Sequence, residues 1–323
     1  DPDNEGWSVI STKINKNPPQ NRIRSFERDI VGRGSIWNVM RDSLVPGVTV
    51  AVIIDGKLAW KTGYGHLQKG NEKYAAHPES MFQAASISKA IAAIGVFKLI
   101  DENKVGFTEN LMTSDKLDWD IPFHECVKDS SWASNFNLVR IDRILQHTSG
   151  ITGRGALLDN NCNYIGANSR GIFPGGGYGG TEGPPPTLNE LLQDVSITYH
   201  PTSSKPNNRG SWYSGQAFTV LQKLTEDITE MDYPYWMRKN ILEPMNMDNS
   251  GFIIQPENKF KVSEFSRGHN GNGTMIPIQR YSQYAAAGLY TSAEELANVL
   301  IMVNNDGVFD NKRVLSTTSI RRL

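Results

Sequence analysis

Apolar positions are sparse and irregular over residues 1–27, a polar, Pro/Asn-rich stretch with Pro18-Pro19 in its middle that reads as an N-terminal extension laid on the surface. The pattern turns helical over residues 26–43, where Ile30, Val31, Ile36, Val39 and Met40 are available for one apolar stripe. Residues 48–54 are then apolar nearly throughout, run into Asp55-Gly56 and leave through residues 57–62. Asp-Gly between two β-prone runs is the preferred two-residue hairpin turn, because both central positions take positive φ. The unbroken apolar character of the first strand predicts burial on both faces. Over residues 86–102, Ile87, Ile91, Ile94, Phe97, Leu99 and Ile100 leave little polar face, which predicts a deeply seated helix. Further helices are predicted at 141–147, 188–195, 215–228 and 293–304. Residues 171–186 are too dense in Gly and Pro for a helix or a central strand and read as a loop. No internal repeat is present.

The chain has 323 residues and a mass of 35.9 kDa, with 38% hydrophobic and 21% charged residues. That is enough for two domains or one large domain with an inserted lobe, and it excludes wholesale disorder. Thirty-three Lys and Arg against 34 Asp and Glu leave a net charge of −1, so no basic field is available for a nucleic-acid backbone. The longest apolar run, residues 90–97, is fenced by Lys89 and Lys98, whereas a bilayer crossing needs about 20 apolar residues. No membrane span is expected. The opening at Asp1, without a basic-then-apolar leader, reads as a processed or trimmed product, expected to be secreted or periplasmic. Cys126 and Cys162 permit at most one disulfide and form no zinc pattern.

Several motifs can be set aside on their context. The run Gly175-Gly176-Gly177-Tyr178-Gly179-Gly180 satisfies a dinucleotide fingerprint formally, but Pro174 precedes it and three prolines follow, so it neither leaves a strand nor opens a helix. No serine has glycines two before and two after it, which excludes that nucleophile elbow. The six histidines include no pair four apart, and His124-Glu125-Cys126 is too compact to chelate one ion well. Neither a metal nor a cofactor is expected.

Ser86-Ile87-Ser88-Lys89 is different, because it sits where loop gives way to the buried helix. Spacing i, i+3 places serine and lysine on one helical face. A serine hydroxyl is a poor nucleophile until a base takes its proton, and a lysine stripped of hydration in an apolar cleft becomes such a base. The helix N-terminus adds positive potential for a developing oxyanion. Two further segments, Leu145-Gln146-His147-Thr148-Ser149-Gly150-Ile151 and Ser211-Trp212-Tyr213-Ser214-Gly215, join this one. A tyrosine brought beside Ser86 and Lys89 would relay a proton.

Taken in order, these segments resemble the serine β-lactamase-related family of class C β-lactamases, DD-peptidases and their esterase and D-aminopeptidase relatives. Residues 82–89 (FQAASISK) are close to its nucleophile segment and LQHTSGI to its HTSG turn. Residues 242–247 (LEPMNM) look like its "EPLGM" stretch, and residues 286–296 (AAGLYTSAEEL) like its "aGGLysTAeDL". The resemblance implies an α/β (α+β) fold, with an antiparallel sheet flanked by helices plus a mostly helical lobe. Residues 28–105 with 250–323 would form the first lobe and residues 106–249 the second. By position it implies Ser86 as acyl-accepting nucleophile, its backbone N–H as half of an oxyanion hole, Lys89 as general base and Tyr213 as proton relay. Ser214 and Gly215 would face substrate, and His147 would anchor a turn. The expected activity is hydrolysis of a small-molecule ester, amide or peptide substrate. The alternatives are a penicillin-binding sensor that acylates without efficient turnover, or an acyltransferase.

Two departures stand out. Gly215 occupies the third position of the family's Tyr-x-Asn motif, removing an amide that binds β-lactam side chains and favouring an esterase, amidase or peptidase. The third motif, a Lys/His-Thr/Gly-Gly stretch on a late strand that supplies the other oxyanion N–H, is not found. The missing strands are therefore expected on a second polypeptide, the other half of one precursor cut after Leu323, with a truncated chain as the alternative.

Overall fold

This computed structural model describes residues 9–12, 36–69, 71, 73–124, 139–153, 156–158, 164–167, 183–197 and 213–323. The chain opens with β1 (Val9–Thr12), α1 (Ile36–Asp42), β2 (Gly47–Ile54), β3 (Lys57–Gly65) and β4 (Phe82–Gln83). A 3₁₀ turn at Ala85–Ile87 leads into α2 (Ser88–Asp101). The middle carries α3 (Ile141–Leu145), β5 (Ile151–Gly153), β6 (Ala156–Leu158), β7 (Tyr164–Ala167), α4 (Leu188–Leu192) and β8 (Val195–Ile197). It ends with α5 (Gly215–Thr229) and α6 (Tyr233–Met237). The last part holds β9 (Gly251–Phe252), α7 (Pro256–Lys259), α8 (Tyr284–Ala287), β10 (Leu289–Thr291), α9 (Ala293–Asn304), β11 (Val308–Phe309), β12 (Lys312–Arg313) and α10 (Thr317–Arg322). No helix among the described residues is long and apolar enough to cross a membrane.

The Asp55-Gly56 hairpin forms as the sequence predicts, with φ of 51° and 69° at its two turn residues. Burial of its first strand differs from expectation. Residues 59–65 of β3 are buried, whereas β2 is only half-buried along its whole length. The reason is topological: the sheet runs β1-β3-β2, so among the described residues β2 pairs with β3 alone, while α9 packs against both strands. The far edge of β3 is taken by β1, antiparallel from Val9 opposite Tyr64 to Thr12 opposite Lys61. Part of the expected surface extension is thus a strand of the sheet.

Other boundaries shift for local reasons. Of the helix predicted over 26–43, the described residues contain only Ile36–Asp42; Met40 is buried against Trp60 and Tyr64, but Val39 is exposed and leaves the stripe. The helix predicted over 188–195 starts on a Thr187–Glu190 capping box but stops at Leu192, because Val195-Ser196-Ile197 alternates and pairs with β5. Most of the Gly/Pro loop (171–182) and both cysteines lie outside the described residues.

One apolar cluster unites α2 with its neighbours. Ile91, Ile94, Phe97 and Leu99 pack with Phe218, Val220, Leu221 and Leu224 of α5 and with Ala285, Ala286 and Leu289. Each such large side chain contributes about 1.5–3 kcal/mol by leaving water, which fixes α2 rigidly. A second small sheet, β4-β10-β9, runs beside the N-terminus of that helix and delivers the chain to Ser86.

Candidate active site

The nucleophile segment is held from both sides by the start of β10. Ala84 N–H donates to the Leu289 carbonyl at 2.8 Å, and the Leu289 N–H donates to Ser88 Oγ at 3.0 Å, with Ser88 fully buried. Between these two anchors Ala85 takes φ 44°, a left-handed conformation unfavourable for any residue with a Cβ. The bend turns Ser86 outward, exposed, while Lys89 one turn later points inward and is buried.

Two side chains meet at Ser86 Oγ. The Tyr213 hydroxyl donates to it at 2.6 Å, and Lys89 Nζ donates to it at 3.1 Å and to the Ala286 carbonyl of α8 at 2.7 Å. Lys89 Nζ also lies 4.7 Å from the centre of the Tyr213 ring and 5.8 Å from that of Phe218. Burial pulls the Lys89 pKa below its ordinary 10.5, against the opposing pull of the Tyr213 side chain. Its neutral amine is therefore easier to reach than that of a solvated lysine, and the 3.1 Å contact is short enough for Ser86 to donate its proton there.

Ser214 and Gly215, expected to face substrate, are both buried. Ser214 is the N-cap of α5, its Oγ accepting the Ala217 N–H at 3.1 Å, and Gly215 is the first residue of that helix. Beside them His147 Nδ1 accepts the Ser214 N–H at 3.1 Å, and the imidazole lies 4.6 Å from the Tyr213 ring. Burial, then the charge of Lys89, lowers the His147 pKa to about 4.

Sequence reasoning missed the residues that hold this group in place. Gln222 of α5 donates to the Ser282 carbonyl and accepts the Ala285 N–H, both at 3.3 Å, so α5 grips the helix whose Ala286 carbonyl binds Lys89. Ser282 Oγ in turn donates to the Pro186 carbonyl at 2.5 Å, fastening the end of the Gly/Pro loop to the same place. A glutamine at an otherwise apolar helical position was the available signal for Gln222. Ser88 and Ala286 act through non-local backbone contacts that leave no local pattern.

Residues 35–322 match the Beta-lactamase family, and the chain belongs to it. Among curated proteins it is 25% identical over 253 residues to Unguisins hydrolase ungD' of Aspergillus campestris, covering 76% of this chain and 41% of that protein. Among solved structures it resembles an octameric penicillin-binding protein homologue from Pyrococcus abyssi (22% identity, TM-score 0.64, 94% of this chain and 59% of the other). It also resembles EstCE1, a hydrolase with promiscuous acyltransferase activity (16% identity, TM-score 0.63, 93% of this chain and 75% of the other). The chain spans less than half the length of the curated relatives it matches, 41% and 44% for the first two. The mixed helical and antiparallel architecture is thus that of the β-lactamase and transpeptidase fold, as expected from the motif order.

Proposed function

We propose that the protein is a serine hydrolase that cleaves an ester or amide bond through an acyl-enzyme on Ser86. The observation that carries this reading is the convergence of a buried lysine at 3.1 Å and a tyrosine hydroxyl at 2.6 Å on one exposed serine oxygen. Neutral Lys89 takes the Ser86 proton as Oγ attacks the carbonyl carbon. The tetrahedral intermediate collapses and expels the alcohol or amine, which receives its proton through Tyr213. Water then attacks the acyl-enzyme and gives a proton to the same relay, which returns it to Ser86 Oγ as the C–Oγ bond breaks and the acid leaves. Ser86 N–H supplies one oxyanion donor. The second belongs, in this reading, to a strand carried by a further segment or by the second polypeptide that the sequence suggests. A denaturing gel that shows a single 36 kDa band with full activity would contradict the two-chain arrangement.

Gly215 offers no side-chain amide, and Ile87 next to the nucleophile is 47% exposed, so the reading favours an ester or amide with an apolar group over a β-lactam. Acyl transfer to an acceptor other than water uses the same acyl-enzyme, and the promiscuous acyltransferase activity of EstCE1 gives this second reading its support. A panel of p-nitrophenyl esters, D- and L-aminoacyl anilides and nitrocefin tests both. Turnover of at least one ester or anilide is expected, with nitrocefin the poorest substrate and the rate rising with pH along a limb set below 10.5. Ser86→Ala should cut that turnover by about 10³-fold or more. Turnover that survives this substitution refutes the reading; added alcohol that diverts product to a new ester favours transfer.

A further inference from the structure

The mechanism above leaves His147 without a part, yet the fold pays unusual attention to it. Helix α3 ends in a left-handed turn in which His147 N–H bonds the Ile144 carbonyl at 3.0 Å and Thr148 N–H bonds the Arg143 carbonyl at 2.8 Å. Helices that close with this pair of bonds usually place glycine at the residue His147 occupies, because φ there is positive. His147 has φ 57°, a conformation that costs about 1–2 kcal/mol with a Cβ present. Such strain persists where the side chain or its surroundings over-determine it, and it concentrates at functional sites.

What the strained position achieves is visible in the contacts of the ring. Its Nδ1 accepts the N–H of the peptide that joins Tyr213 to Ser214, at 3.1 Å. Its face lies 4.6 Å from the Tyr213 ring, tilted by 36°, and 5.4 Å from the Phe218 ring, tilted by 41°. Tyr213 needs such support, because it is 60% exposed and stands just before the N-cap of α5. A glycine would close α3 equally well and leave the tyrosine without either contact.

We infer that His147 is the positioning residue of Tyr213: as a neutral imidazole it holds the Tyr213–Ser214 peptide and one side of the phenol so that the hydroxyl stays in reach of Ser86 Oγ. The inference rests on the Ser86–Lys89–Tyr213 reading. His147 acts through the tyrosine and touches no reacting atom. Burial and the neighbouring Lys89 charge favour the neutral ring, in which Nδ1 is free to accept.

The experiment is a coupling measurement on the full chain. The rate of labelling at Ser86 by a fluorophosphonate probe, and kcat and KM for p-nitrophenyl butyrate, are measured for His147→Gly and His147→Asn. Each is made alone and in the Tyr213→Phe background, with thermal melting to verify folding. Glycine fits the backbone and removes the ring, whereas asparagine tolerates positive φ and retains an acceptor. His147→Gly should slow labelling by about 10–100-fold through kcat with KM little changed, as expected when a reacting group is misplaced. His147→Asn should recover most of the loss, and His147→Gly should add nothing to Tyr213→Phe. Should His147→Gly not fold, His147→Ala takes its place. Wild-type labelling by His147→Gly, or a loss of the same size with and without Tyr213, overturns the inference. Labelling that survives Ser86→Ala instead overturns the underlying reading.

Discussion

At the scale of single residues, two non-glycine residues with positive φ stand against the site: Ala85 immediately before the nucleophile and His147 beside its tyrosine. They differ in what the side chain does. The imidazole of His147 meets the Ser214 N–H and the Tyr213 and Phe218 rings, whereas Ala85 is exposed and carries only a methyl group. The strain at Ala85 is therefore separable from function. Ala85→Gly should stabilise the protein by up to about 1 kcal/mol, the left-handed penalty less the entropy that glycine adds to the unfolded chain. Thermal melting checks this, with labelling at Ser86 unchanged within about twofold if the geometry is retained. The Ser-x-x-Lys pair was legible in sequence because its two members lie one helical turn apart, so spacing alone predicts their meeting. Tyr213 lies 127 positions away from Ser86, and only the order of motifs brought it forward. The sign of φ at His147 had no counterpart in the sequence pattern, so its use was not legible there.

At the scale of elements, the site depends on how α9, the hairpin and the segment before β4 are tied. Lys61 of β3 is buried and donates to Glu79 at 2.6 Å and to Glu294 in the first turn of α9 at 2.5 Å. Burial disfavours both the ammonium of Lys61 and the carboxylate of Glu79, but their hydrogen bonds and charges win: Lys61 is held above 10.5 and Glu79 below 4.5. The raised lysine contributes stability that is present below 10.5 and lost as pH climbs through its higher folded value. The lowered carboxylate contributes stability present above 4.5 and lost as pH falls through its lower folded value. Urea unfolding across pH should thus show a Lys61-dependent plateau between these limits, and Lys61→Met should lower the plateau and shrink both flanks. A variant as stable as the wild type near neutral pH would contradict this. The helix at Ala293–Asn304 was predicted to the residue because Ser292 caps it and its apolar period is clean. The end of α4 was not, since the change from helical to alternating pattern falls within three residues, and the strand Val9–Thr12 is hidden inside a polar segment.

At the scale of the whole molecule, the family and its mixed fold were legible because many short segments occur in the right order. The half-buried state of β2 was not, because burial of an apolar strand depends on what packs around it, and no run of residues in the strand encodes that. What the molecule presents is a rigid helix, α2, with an exposed serine at its mouth and a buried lysine one turn inside. The proposed acyl-enzyme mechanism requires that this serine alone take the acyl group. Fluorophosphonate labelling, followed by intact mass and peptide mapping of the wild type and Ser86→Ala, tests it most directly. One adduct per chain, on the peptide that contains Ser86 and absent from Ser86→Ala, is the predicted result; an adduct on another residue, or one that persists in Ser86→Ala, would contradict it.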